Sequence, residues 1–315
     1  MVRFLVRRIS LIALTLFVVS LAIFAITEIL PGDVVTVILG RGATPENVEN
    51  LRHAMGLDTS AYSRYFDWVV GVLQWDWGES LIQKRPIWDV ILPRLSNSVV
   101  LAGFAFLIAV PTAIATGIWA GIKPGSWYDH AVSTTSLVAI SLPEFVTGVL
   151  LIVIFSSTLH ILPSSSILLP GESPLTKPTI LILPTLTLTG VLFAYIMRMT
   201  RANVIEVMGT DYVRTAILKG LPMRKVIFRH VVPNAMLPTI SVVAMNIGYM
   251  LGGLIIVDSV FAYPGLGRLL LTAITSRDIP LLQALSLLIA GAYAFSNLLA
   301  DVAYAAFNPR VRVGS

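Results

Sequence analysis

Six apolar runs, each close to twenty residues or longer, dictate what this 315-residue chain can become. They are Ile9–Leu30, Ser98–Gly121, Ala131–Ser157, Thr179–Met197, Leu237–Val257 and Leu281–Phe307. A bilayer core about 30 Å thick is crossed by roughly 20 apolar residues in a helix, which satisfies its own backbone polar groups where lipid offers no partner. The expectation is an all-α membrane protein with six transmembrane helices. A composition of 56% hydrophobic and 12% charged residues agrees, since soluble domains sit near a quarter charged. The first run follows Met1-Val-Arg-Phe-Leu-Val-Arg-Arg8 and ends in Pro31-Gly32-Asp33 with no small-x-small cleavage site. It is too long for a signal core and reads as a retained anchor.

Charge sets the direction of each crossing. The segment Arg198–Arg229 carries Arg198, Arg201, Arg214, Lys219, Arg224, Lys225 and Arg229 against Glu206 and Asp211. Residues 31–95 hold six basic and eight acidic side chains. Arg3, Arg7 and Arg8 begin the chain, and Arg310 and Arg312 close it. The positive-inside rule then places both termini and the Arg-rich loop in the cytoplasm, with 31–95, 158–178 and 258–280 outside. The net charge of +5 resides in these flanks, so it speaks for topology and not for nucleic acid. Without cysteine there are no disulfides or thiolate sites. The four histidines have no ligand spacing, so no metal site is expected. Neither paired carboxylates nor a Ser/His arrangement lies at a shared depth, which argues against a membrane enzyme.

The outward segment has helical signals of its own. Thr44-Pro45-Glu46 reads as an N-cap, a first-turn Pro and a first-turn acid, with Val48, Leu51 and Met55 at helical spacing and Gly56 as the stop. Tyr65, Trp68, Val69 and Val72 continue an amphipathic pattern into Trp75, Trp77 and Trp88. Interfacial helices with an aromatic belt and a cap that seats an external partner are compatible readings.

The loop between the fourth and fifth runs is built differently from a plain connector. Asp211 is placed to cap a helix from Tyr212 to Lys219 that ends at Gly220; Pro222 suits the start of a second, which runs to about Val231 and closes at Pro233. Ile217, Leu218 and Leu221 then project as apolar teeth from a cationic surface. Docking to another protein and lying on anionic lipid are both open. No G-x-x-x-x-G-K-[ST] phosphate cradle occurs anywhere, so nucleotide chemistry is not expected of this chain.

Polar side chains inside apolar runs are costly and point to function or to helix–helix bonds of about 0.6 kcal/mol each. Glu144 follows Pro143 in the third run, Asn246 and Tyr249 share a face of the fifth, and Gln283, Asn297 and Asp301 punctuate the sixth. Glu144, Asn246, Tyr249 and Asn297 are the pathway candidates.

The spacing Arg214-Thr-Ala216, Gly220, Val232-Pro233 resembles the EAA loop of ABC importer permeases. Tyr-Val-Arg-Thr-Ala at 212–216, Arg-His at 229–230 and Asn-Ala-Met-Leu-Pro at 234–238 look like the dipeptide/oligopeptide/nickel branch. Phe4–Arg8, Leu30-Pro-Gly-Asp33, Arg85-Pro86, Val260–Leu270 and Asn308-Pro-Arg-Val-Arg312 agree in order along the chain. Arg214 stands where the motif has Glu, and His230 where it has Ile.

The resemblance implies the type I ABC importer fold, with an extracytoplasmic helical insertion between helices 1 and 2 and a cytoplasmic coupling helix between helices 4 and 5. Residues 1–95 would form anchor and insertion, 96–307 the permease domain with coupling loop 203–235, and 308–315 a cytoplasmic tail. It implies a multi-pass protein of the prokaryotic inner membrane that works with a paralogous permease, two ABC ATPases carrying ATP and Mg, and an extracytoplasmic solute-binding protein. Tyr212, Arg214, Ala216, Ile217, Leu218, Gly220, Leu221 and Pro233 would contact the ATPase. Asp258, Tyr263 and the exposed cation Arg268 would line an outer gate or meet the binding protein, with a purely structural turn as the alternative. Gly248, Gly252 and Gly253 would pack between the paired permeases. Peptides are the expected cargo; nickel chelates, glutathione, oligosaccharides and opines are alternatives, as is a stand-alone proton-coupled carrier using Glu144 or Asp301.

Overall fold

A computed structural model describes residues 2–29, 44–54, 58–169 and 171–307. The Leu30–Asp33 block, Met55 and Gly56, and the 308–312 tail lie outside them. The described residues form α1 (Val2–Ile29), α2 (Pro45–Ala54), α3 (Ala61–Leu73), α4 (Ile87–Ile122), α5 (Trp127–Ser141), α6 (Glu144–Leu151), α7 (Thr179–Met208), α8 (Asp211–Leu218), α9 (Met223–Val226), α10 (Val232–Val260), α11 (Leu266–Thr275) and α12 (Ile279–Phe307). As expected, Thr44 caps α2 by accepting from the Asn47 N–H at 3.3 Å.

Among the described residues five helices are long and apolar enough to cross a membrane, and α5 with α6 makes a sixth only as a pair bent by 108°. The third run, Ala131–Ser157, is thus bent in its middle, beside Pro143. Pro143 lacks the N–H that would continue α5 and turns the chain at Leu142. A π-helical stretch, Ile152–Thr158, then extends α6. The other crossings outrun their apolar runs: α4 starts at Ile87, with Pro93 and Pro111 carried inside it.

The core centres on α4 and α7. Cβ atoms added at Gly117 and Gly121 would lie 2.7 Å from Met197 O and from Val204 Cβ, so these glycines let the two helices touch. Gly117-Ile-Trp-Ala-Gly121 is a small-xxx-small pair. The glycines of the fifth run serve the same chain: Gly248 receives the Tyr293 ring, and Gly253 the Glu144 carboxylate. Their expected place between paired permeases is corrected for these two, while Gly252 stays open.

Helix α1 is clamped to α12 near both ends. Arg8 pairs with Asp301 at 3.0 Å, and Gln283 donates to Thr27 Oγ1 at 2.8 Å. Buried Asp278 accepts from the Ser80 hydroxyl and, at 3.1 Å, from the Leu81 N–H, both of which precede the start of α4. This bolts the segment before α4 to the α11–α12 turn.

Asp129, at the start of α5, accepts from Arg201 Nε and, at 2.7 Å, from Arg201 Nη2, with Gly125 N–H adding a bond of 2.9 Å. This fork ties α5 to α7. Asp129→Ala is expected to lower stability by about 1–3 kcal/mol, because Arg201 loses a charged acceptor. Thermal unfolding of purified protein in detergent checks it.

Candidate functional site

Helix α8 sits on the end of the bundle and has two faces. Val213 and Ala216 are buried among Val204, Val226, Val231 and Ala235. Tyr212, Arg214, Ile217 and Leu218 point outward, Ile217 at 41% exposure and Leu218 at 80%. Thr210 occupies the N-cap and Asp211 is the first helical residue, so the helix begins one residue earlier than expected. An acid there still complements the helix dipole.

Gly220 ends α8 with φ +74°. Its N–H reaches Ile217 O at 2.9 Å, and the Leu221 N–H reaches Ala216 O at 3.3 Å. These are the two bonds of a Schellman motif, which needs a left-handed residue that glycine supplies without strain. Leu221 accordingly folds back against the buried cluster with Ala216. Its expected role as an outward tooth is corrected, and Ala216 too is covered.

Pro233 does not close the second helix. It lies at the start of α10, directly after a π-helical turn that has already broken the i−4 bonding register, and the helical chain runs on from Met223 to Val260. Ile227–Val231 forms a π-helical turn inside this run. Exposed Met223 and Phe228 extend the apolar outer surface of the loop. Sequence reasoning missed both, since Phe228 lies within the basic stretch Arg224–His230.

The pathway candidates separate. Tyr249 and Asn297 line one crevice of about 680 Å³ between α1, α10 and α12, together with Thr15, Gly252 and Tyr293. Asn246 is buried and donates to Val242 O at 2.8 Å, whereas Tyr249 is 68% exposed. The shared face expected for these two is corrected: a spacing of three turns them roughly 60° apart, enough to put one against α10's neighbours and the other outside. Glu144 lies against Gly253, and one of its carboxylate oxygens is buried with no hydrogen-bond partner among the described residues.

Where α10 turns into α11, Asp258 and Tyr263 are fully buried. Asp258 accepts from the Gly267 N–H at 2.9 Å, and the Tyr263 hydroxyl donates to Asn97 O at 2.7 Å. Burial, with Asp258 nearby, raises the Tyr263 hydroxyl above its ordinary pKa, so it stays a neutral donor. Asn97 Nδ2 donates to Pro264 O at 2.9 Å, and Ser98 Oγ accepts from the Leu266 N–H at 2.8 Å. Asp258 and Tyr263 hold the turn onto α4, as the structural reading of this turn has it. Arg268 alone of the three is exposed, and it donates to Ala262 O at 2.6 Å.

Comparisons with known proteins agree along the whole chain. Residues 113–313 match the model of the binding-protein-dependent transport system inner membrane component. Residues 1–102 match the N-terminal model of the same membrane component. The dipeptide transport system permease protein DppB of Escherichia coli (strain K12) is 34% identical, over 99% of each chain. A putative peptide transport system permease protein of Brucella abortus (strain 2308) is also 34% identical over 99% of each. The glutathione transport system permease protein GsiC of Escherichia coli O1:K1 / APEC is 36% identical with the same coverage. A crystal structure of an amino acid ABC transporter with histidines shares the fold at a TM-score of 0.50 and 15% identity, covering 70% of this chain and 94% of that one. The two-faced α8, the six-crossing helical scaffold and these matches lead to one conclusion: the chain belongs to the binding-protein-dependent transport system inner membrane components, the permease subunits of ABC importers.

Proposed function

We propose that this permease forms half of the translocation pathway of a di- or oligopeptide importer and receives ATP-driven motion through residues 211–233. The observation that carries the coupling assignment is the exposure of Ile217 and Leu218 on a helix whose other face is locked into the bundle. Such a knob offers apolar anchors on a rigid mount, as protein docking requires. The cargo assignment rests on the relatives named for dipeptide, peptide and glutathione transport.

The cationic loop and both termini face the cytoplasm by the positive-inside rule, a reading supported by the pairing of Arg8 near the start of α1 with Asp301 near the end of α12. Two ATPases, a paralogous permease and an extracytoplasmic binding protein complete the assembly. ATP and Mg reside on the ATPases. Residues 1–95 act as anchor and outer insertion, and Arg268 is the exposed outward cation available to the binding protein.

The test is uptake of a labelled dipeptide into vesicles containing the assembled transporter. Uptake is expected only with ATP inside and binding protein outside. Uptake that ignores ATP and collapses with a protonophore would establish the carrier reading instead.

A further inference from the structure

The outward helix α3 has three faces, and one of them is unpartnered among the described residues. Tyr65 and Trp68 turn to α1, where both rings meet Phe24 at 5.4 and 6.4 Å. The Tyr65 hydroxyl and Ser20 Oγ share a buried hydrogen bond of 3.0 Å. Ser63 and Asp67 form a polar face, the Ser63 hydroxyl donating to Asp67 at 3.4 Å. Tyr62, Phe66, Val70 and Leu73 fall in a third sector of roughly 80° on the helical wheel. All four are exposed, Tyr62 at 79% and Leu73 at 76%.

Depth decides what covers that stripe. Helix α1 crosses the membrane, and Phe24 lies five residues, roughly 8 Å, inside its outward end at Ile29. Ser20 is deeper still. Arg64 pairs with Glu28, so the charged edge of α3 sits at the level of the last turn of α1. A helix pinned at these points lies beside the hydrocarbon slab, not above it. Helix α1 likewise carries exposed apolar side chains, among them Phe17 and Leu21. A polar face turned to water beside an apolar face turned down is the arrangement of a helix lying in the bilayer boundary.

We propose that α3 is a lipid-embedded in-plane helix, its Tyr62–Phe66–Val70–Leu73 stripe seated among the acyl chains of the outward leaflet. It would fix the outer insertion at a set height around α1. The proposal rests on the orientation given above only for which leaflet is involved.

The chain has no cysteine, so each single-cysteine variant carries one nitroxide label. Tyr62→Cys, Ser63→Cys, Phe66→Cys, Asp67→Cys, Val70→Cys and Leu73→Cys are labelled in the assembled transporter, in phosphatidylethanolamine/phosphatidylglycerol vesicles. Signal from partner subunits is subtracted using the unsubstituted complex. Relaxation by oxygen should exceed relaxation by a water-soluble nickel chelate at 62, 66, 70 and 73, with the ratio reversed at 63 and 67, a pattern of period about 3.6. A nickel-dominated ratio at all six sites overturns the proposal. So does loss of oxygen contact at the stripe on adding the binding protein, which would assign the face to that partner. ATP-driven uptake by the same variants is measured separately, so failure of the transport reading remains distinguishable.

Discussion

Replacing Ile217 and Leu218 together by aspartate should strip the ATPase subunits from the complex while the permease keeps its level in the membrane. Both side chains lie on the open face of α8, and neither supports the Val213–Ala216 contact with Val204 and Val231. Their loss therefore leaves the mount in place. An apolar anchor at the centre of a docking surface is worth about 2 kcal/mol or more, which is roughly 30-fold in affinity. A carboxylate in the last turn of a helix adds an unfavourable dipole interaction of about 0.3–1 kcal/mol each. Affinity purification of the permease followed by quantitation of bound ATPase reads the effect directly. Intact binding together with normal uptake would mean that α8 rests on lipid and that coupling enters elsewhere.

Gly267→Ala is expected to act through the opposite route, by preventing assembly of the turn between α10 and α11. A Cβ on Gly267 would stand 2.3 Å from Ile255 Cα and 2.9 Å from Ile255 N. Both are backbone atoms of α10, so no side-chain rotation can clear them. The methyl must push α11 off α10, against the bonds from Gly267 N–H to Asp258 and from Leu266 N–H to Ser98. Overpacking a close-packed site costs about 1–3 kcal/mol, and the loss of buried hydrogen bonds adds about 1–3 kcal/mol more. The expected result is a sharp fall in folded protein by gel filtration in detergent. Gly252→Ala, where the same methyl meets open space, should behave as the parent.

The crossings and the two-helix build of the 211–233 loop were legible in the sequence because lipid imposes a length and Gly and Pro punctuate helices. Gly220 was legible for a similar reason: a glycine after an apolar-periodic segment signals a left-handed stop. What failed or stayed open depended on neighbours distant in sequence. The Pro233 reading treated proline as a terminator, but a helix that has already shifted register in a π-helical turn runs on through it, and only the path of the chain shows which occurs. Asp258 and Tyr263 read as gate residues or as a structural turn until α4 supplies Asn97 and Ser98 to bury them. The Asp129–Arg201 and Asp278–Ser80 bonds link residues 72 and 198 positions apart, and no local pattern announces either. The Gly117–Gly121 pair was readable as small-xxx-small spacing, yet it looked no different from the glycines of the fifth run.

The 38 residues from Met223 to Val260 form one continuous rod roughly 57 Å long. One tip begins two residues beyond Leu221, and the other holds the turn clasped by Asn97 and Ser98. A rod of that length behaves as a crankshaft. Rocking it by 10° about one tip sweeps the other through roughly 10 Å, comparable to the width of a helix. Motion imposed beside α8 thus has a direct mechanical route to the opposite rim, with no relay of small rearrangements between the two.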